Sequence, residues 1–417
     1  MLGKAIGAAA IAAAIMTAGA AHAADAPAEI KIGTLYASSG TYASISRTVF
    51  QGLTIWAEQK NAEGGAFVKP FNKKIPIKII AYDDQSNTAT AATLYNQLIT
   101  QDKVDLLVAD SGSVLTSVAV PIARDHKMLL FDQTGTGAAF FTADNPYIAL
   151  MSDPASNIWP RYLTEFLTKV GPGLGIKRVA ILYSTNDFTG TQANTVRAAI
   201  KARGAPLEIV YDNGVPTSTS NYTVLINTIN AANPDAVVEL GYPSNDIAFL
   251  HNLQDSGITF KFLFCLYPGI ETELLEKNVG PKGLKDIYSY VMSSAIEYKP
   301  NFGPTLPEYK KVWEEKAPKN LEFGFNSVAG YNTGLVIEKA LAGTESMDQL
   351  AIRKAVFDLS GKLVTLDGSF ELTPTGAQSG EITPLGQFDV DANGYLKFNI
   401  VYPPDVAQAK ARYPAGK

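Results

Sequence analysis

The strongest constraint in this sequence is a repeated alternation of short apolar runs with segments of helical periodicity. The first run is Ile30-Lys31-Ile32-Gly33-Thr34-Leu35. From Thr41 to Asn61, residues Tyr42, Ile45, Val49, Leu53 and Trp56 recur at steps of three and four, which predicts a helix with one apolar face. Strand-like runs follow at Ile75–Tyr82, Val104–Ala109 and Met128–Phe131, with helical segments expected at Asn87–Gln101 and Val114–Asp125. A second series places strands at Arg178–Tyr183, Leu207–Tyr211, Ala236–Leu240 and Phe260–Cys265, and helices near Gly190–Ala202, Ser220–Ala231 and Asn245–Asp255. These strands are mostly continuous runs of Val, Ile and Leu, as parallel strands covered on both faces require. Two series of one rhythm predict an α/β chain of two doubly wound parallel-sheet lobes. After Asp286 the reading continues with a strand-like Ile287–Met292, a Pro-rich loop (Pro300, Pro304, Pro307), helices at Phe325–Ala342 and Met347–Ser360, and a β-rich tail.

The N-terminus adds a second expectation. Lys4, the Ala-rich stretch from Ala5 to Met16 and the small-x-small triplet Ala21-His22-Ala23 read as a secretory signal peptide over residues 1–23. No later run reaches the length of a membrane span, so an exported, soluble mature chain is expected. A single cysteine, Cys265, leaves no intramolecular disulfide and no Cys-based metal site, which suits a periplasm better than a disulfide-rich setting. The formal net charge of −5 argues against nucleic acid as a partner.

Catalytic and metal motifs find little support, and the chain is read as a non-enzyme with no cofactor and no metal site. There is no nucleophile elbow, phosphate-binding loop or His-Glu-x-x-His pattern. His126 and His251 read as helix-end or helix-surface residues, and Cys265 as a packed thiol ending a strand. Asp83-Asp84 reads as a strand-end turn. Asp389-Val390-Asp391-Ala392-Asn393-Gly394 copies the start of a calcium loop, but Ile400 stands where the bidentate glutamate is required, so a hairpin turn is expected.

Three short motifs then fall in order. They are Ile30-Lys31-Ile32-Gly33 followed by Ser38-Ser39-Gly40, Asn61-Ala62-Glu63-Gly64-Gly65 at a helix end, and Tyr82-Asp83-Asp84-Gln85-Ser86-Asn87 at a strand end. Behind a signal peptide, their order and spacing resemble the bacterial solute-binding proteins of the leucine/isoleucine/valine-binding type. That resemblance implies the type I periplasmic-binding fold, with two lobes joined by a three-segment hinge and a ligand in the cleft between them. It places the crossings near Asp153, Met292 and Leu385, so that residues 24–153 and 293–384 form lobe 1 and residues 154–292 and 385–417 form lobe 2. It also implies a monomer in the periplasm that serves a membrane permease and its ATPase. A ligand-sensing subunit of a signalling system is the rival reading, and an exported hydrolase the rival from another class.

The fold predicts where the ligand sits, because open parallel sheets bind beyond the carboxyl ends of their strands. Three loops there mix hydroxyls with glycine: Ser38–Tyr42, Ser111-Gly112-Ser113 and Thr134-Gly135-Thr136-Gly137. Glycine admits a ligand close to the backbone, and helix N-termini offer free N–H groups to a carboxylate. By resemblance, Ser113, Thr134 and Thr136 hold the ligand carboxylate and neighbouring polar atoms, and Ser111 of the same loop is a further ligand-binding candidate. Phe188 and Tyr242 supply aromatic faces from the second lobe, with Tyr42 and Tyr267 as further candidates. One departure concerns the ligand's charge. Amino-acid binders of this type commonly carry an acid in the loop after the strand matching Phe260–Cys265, where this chain reads Leu266-Tyr267-Pro268-Gly269. Asp110, Glu239 and Glu271 are the alternative acids for a ligand ammonium. Without such an acid, the aromatic residues suit an amine-free aromatic or aliphatic acid. A second departure is Gly112, which stands where the family's first-lobe disulfide often has a cysteine.

Overall fold

The apolar runs pair as parallel strands in a computed structural model that describes residues 26–416, except 203, 205 and 206. The signal-peptide reading lies outside the described residues. The first sheet contains Ile30–Tyr36 (β1), Ile77–Asp83 (β2), Leu106–Val108 (β3), Leu130–Asp132 (β4) and Ile148–Leu150 (β5). Its order is β2-β1-β3-β4-β5 and every pairing is parallel. The second sheet contains Arg178–Ser184 (β6), Glu208–Val215 (β7), Ala236–Leu240 (β8), Leu263–Cys265 (β9), Tyr288–Tyr290 (β10), Leu385–Val390 (β11) and Leu396–Tyr402 (β12). Its order is β12-β11-β10-β9-β8-β6-β7, with β11 and β12 antiparallel at one edge. This is the expected arrangement of two doubly wound α/β lobes.

The first lobe is closed by two helices that return from opposite parts of the chain. Helix Ala43–Ala62 (α1) buries Ile45, Val49, Leu53 and Trp56, the face its periodicity predicts. Each fully buried aliphatic side chain of this kind contributes about 1.5–3 kcal/mol. Against it lies Phe325–Gly343 (α5 below), buried on nearly every side, as befits a helix without an amphipathic stripe. The two backbones meet at glycines. A Cβ at Gly330 would run into the Val49 carbonyl, and one at Gly52 into the Ser327 carbonyl.

Some local expectations change. Pro304 precedes a helix, Leu306–Lys316, and Pro307 lies within it, rather than both lying in one long loop. Pro307 occupies the first turn, where a missing N–H costs nothing, and Thr305 and Glu308 form a capping box. Strand β5 and helix Thr272–Val279 were not expected from the sequence. Pro76 separates β2 from a small hairpin of Ala66–Val68 with Lys73–Ile75. The calcium-like segment is a hairpin turn between β11 and β12, with the Asp391 carboxylate accepting from the Asn393 and Tyr395 amides.

The chain passes between the sheets after β5, after β10 and before β11. These passages are tied to one another. The Asp153 amide donates to Glu381 Oε2 at 3.2 Å. The Thr383 hydroxyl donates to the Trp159 carbonyl at 2.8 Å. Ser293 donates to the buried Asp367 carboxylate, which also accepts from Asn332 Nδ2 at 3.1 Å.

Candidate functional site

Loops from the carboxyl ends of both sheets meet between the lobes. After β3, Gly112 takes a left-handed φ of +80° and starts helix Ser113–Asp125 (α2). After β4, the Thr134 loop lies alongside. Thr134 Oγ1 accepts from the Gly112 amide at 3.0 Å and shares a 2.9 Å hydrogen bond with Ser111 Oγ. Ser113 Oγ accepts from the Gly137 amide at 3.0 Å. These contacts fix the loops and still leave a hydroxyl proton at Ser113, and one from the Ser111–Thr134 pair, to donate elsewhere.

The second lobe supplies rings. Phe188 opens helix Asp187–Ala202 (α3) after β6, and Tyr242 precedes helix Pro243–Ser256 (α4) after β8. Tyr267 follows β9 and stacks on Tyr242 with centroids 5.8 Å apart. Together with Trp159, Phe325, Ile45 and Asp153, these residues and Ser111, Gly112, Ser113 and Thr134 line a cavity of ≈ 20 Å³. That is room for about one water, so a larger guest requires the lobes or the rings to move apart. The Tyr242 ring stands edge-on to Tyr42 of the first lobe at 5.2 Å. Its hydroxyl approaches the Val114 amide at the start of α2 without completing a hydrogen bond. Burial pushes the Tyr42 phenol up to about 12 and raises Tyr242 and Tyr267 well above the ordinary range, so all stay neutral donors. A further contact between lobes joins Asp187 Oδ2 to the Ala139 amide at 3.2 Å.

The structure therefore gathers Ser111, Ser113, Thr134, Phe188, Tyr242 and Tyr267 around one cavity, with Tyr42 behind Tyr242. Thr136 is placed differently. Its hydroxyl is fully buried, bonds Ser156 Oγ at 2.8 Å and does not line the cavity. The acids also sort themselves. The Asp110 carboxylate accepts from Ser46 Oγ at 2.6 Å, and Glu239 lies against Asp246. Glu271 lines a neighbouring cavity of ≈ 270 Å³ with Arg47 and Glu322. None of these three lines the aromatic cavity.

Sequence reasoning missed Asp153 and Trp159 as lining residues. Trp159 is fixed by its indole N–H to the Pro154 carbonyl at 2.6 Å and stands edge-on to Phe188 at 5.1 Å. A tryptophan in a passage between lobes was the available signal. Asp153 gave none beyond its place before a proline. It is 2% exposed, has a φ of +70° and leaves Oδ1 without a hydrogen-bond partner.

Two sheets with a cleft at their carboxyl ends define a solute-binding architecture, and the sequence matches the periplasmic binding protein family over residues 29–378. The chain belongs to that family. Among similar proteins, the Leu/Ile/Val-binding protein homolog 7 of Brucella abortus is 23% identical over 403 residues, covering 94% of this chain and 96% of the relative. The branched-chain amino acid transporter substrate binding protein LivJ of Streptococcus pneumoniae, in complex with isoleucine, superposes with a TM-score of 0.73 at 18% identity, covering 90% of this chain and 100% of that one. An ABC transporter solute binding protein of R. palustris, in complex with benzoate, gives 0.71 at 16% identity, covering 93% and 99%.

Proposed function

We propose that the protein is the substrate-binding component of an ABC importer and captures a small carboxylate-bearing organic solute between its lobes. One observation carries the reading. A single cavity is lined by hydroxyls of one lobe (Ser111, Ser113, Thr134) and rings of the other (Phe188, Tyr242, Tyr267). A guest that touches both lobes favours their closed arrangement, whereas one touching a single lobe does not. The carboxylate goes to the Ser113 and Thr134 hydroxyls and the free amides opening α2, where the helix dipole adds a partial positive charge. The rings take the apolar part of the solute. The structural relatives with bound isoleucine and benzoate support a ligand of this size and charge.

Closure and release act through the three passages, with boundaries near Asp153, Met292 and Leu385. The closed form is then presented, from the periplasmic side, to a membrane permease whose ATPase is cytoplasmic. Thermal-shift screening followed by calorimetry tests this, using leucine, phenylalanine, benzoate, 4-hydroxybenzoate, phenylacetate and short aliphatic acids. A true ligand at about 1,000 times its Kd adds about 4 kcal/mol and raises the melting temperature. Ser113→Ala should weaken that ligand. A ligand bound equally well by Ser113→Ala and Thr134→Ala would place it outside the cleft.

A further inference from the structure

We propose that Arg47 receives a second acidic group of the ligand, so that the solute is an elongated dicarboxylate whose far end lies in the chamber beside the aromatic cavity. This rests on the cleft reading above and narrows its substrate class. The chamber measures ≈ 270 Å³, against ≈ 20 Å³ for the aromatic cavity. That is near the low end of ordinary small-molecule pockets, about 300–1,000 Å³. The two spaces are neighbours, because Ile270 and Asn326 line both. On α1, Ile45 faces the aromatic cavity while Ser44, Arg47 and Thr48 face the chamber. Less than one helical turn, about 5 Å along the axis, separates these walls. One linear solute can therefore place one end at Ser113 and Thr134 and the other at Arg47.

Arg47 is half-buried, and among the described residues it is the one arginine that makes neither a hydrogen bond nor an ion pair. Arg161, Arg197 and Arg412, by contrast, are paired with Glu165, Asp212 and Asp286. A guanidinium presents its N–H donors in a planar fork that fits a carboxylate, and partial burial without an acceptor leaves that demand for a ligand to meet. The two acids of the chamber are engaged elsewhere. Glu322 accepts from the Glu273 and Leu274 amides at 3.0 and 3.3 Å, and Glu271 from Asn326 Nδ2 at 3.1 Å. Burial, reinforced by Glu322, pushes the Glu271 carboxyl up to about 8, so near neutral pH it does not cancel the charge of Arg47. Ile270, Leu274 and Leu321 offer the connecting carbon chain an apolar wall. Arg47 belongs to the first lobe, whereas Ile270 and Leu274 follow β9 of the second. The far end of the solute thus also touches both lobes and favours their closed arrangement.

The test is calorimetry on the full chain with matched pairs: hexanoate and adipate, octanoate and suberate, L-norleucine and L-2-aminoadipate. Within each pair a terminal carboxylate replaces a methyl group, so the comparison holds whether or not the ligand carries an amine. In at least one pair the diacid should bind about 10- to 100-fold more tightly, the range expected of a hydrogen-bonded charge pair. Arg47→Gln should remove that preference, and Arg47→Lys, which keeps the charge without the fork, should recover part of it. If Arg47→Gln does not fold, the wild-type comparison and Arg47→Lys decide. Diacids that bind no more tightly than their partners in every pair, or an Arg47→Gln chain that keeps the preference, would overturn the proposal and leave the cleft reading intact. A diacid preference that survives in Ser113→Ala and Thr134→Ala with no loss of affinity would overturn the cleft reading. Binding by none of these probes would overturn both.

Discussion

Tyr42 and Tyr242 meet edge to face across the two lobes, with ring centroids 5.2 Å apart at 73°. One ring follows β1 of the first sheet and the other follows β8 of the second, so the contact exists only while the lobes are together. The apolar cluster around it is continuous, running from Ile45 and Leu115 of one lobe to Phe188 and Tyr267 of the other.

The Tyr242 hydroxyl is the weak point of that contact, because it is fully buried and makes no completed hydrogen bond. Leaving such a group unsatisfied costs about 1–3 kcal/mol. Tyr242→Phe keeps the ring contact and removes the unsatisfied group, so thermal unfolding should show a melting temperature equal to or above that of the wild type. A clear drop would mean that the hydroxyl has a partner essential to the fold.

Asp187 offers a second handle on closure. Its carboxylate accepts from the Ala139 amide across the lobes at 3.2 Å. Asp187→Ala removes a contact worth about 0.5–1.5 kcal/mol to the closed arrangement. Small-angle scattering of the variant should give a larger radius of gyration, and ligand affinity should fall severalfold. An unchanged radius and affinity would show that the bond does not bias closure.

The buried acids make stability depend on pH in an unusual direction. Burial, reinforced by Glu322, pushes the Glu271 carboxyl up to about 8, and burial raises Glu322 to about 7. Between the ordinary carboxylate range and those values the folded chain holds protons that the unfolded chain has released. Their contribution is therefore fully present below the ordinary range and is lost as pH rises through about 8. The melting temperature should be higher at about pH 5 than at about pH 8. Glu271→Gln keeps an acceptor for Asn326 Nδ2 while removing the titration, and should flatten the decline. A melting temperature that rises over this interval would contradict the assignment.

The helix pair of the first lobe predicts a sharper effect. Gly330→Ala would press a methyl group into the Val49 carbonyl, where backbone rather than a flexible side chain stands in the way. Overpacking of this kind typically costs about 1–3 kcal/mol, occasionally more. Denaturant unfolding should show a lowered midpoint, and an unchanged midpoint would mean that α1 and α5 separate easily.

Much of this arrangement was readable from residues alone. Continuous Val, Ile and Leu runs marked the parallel strands, and the spacing of Ile45, Val49, Leu53 and Trp56 marked the buried face of α1. The convergence of Ser111, Ser113 and Thr134 on one cavity was readable because loops at the carboxyl ends of parallel strands lie side by side. What escaped depends on packing between distant segments. The prolines around Leu306 disguised a helix whose first turn accommodates them. Thr136 looked equivalent to Thr134, but Ser156, from the passage after β5, takes its hydroxyl in a hydrogen bond away from the cavity. Asp153 carried no periodic signal at all. Only the return of Glu381, more than two hundred residues later, fixes its backbone beside the cleft.

The most direct test of the central claim uses Trp159, which lines the cavity, as an internal reporter. Intrinsic fluorescence of the wild type should change saturably when the ligand found by calorimetry is added, with the same Kd, and Trp159→Phe should abolish most of that change. An identical saturable change in Trp159→Phe would place the ligand away from the aromatic cavity and contradict the account.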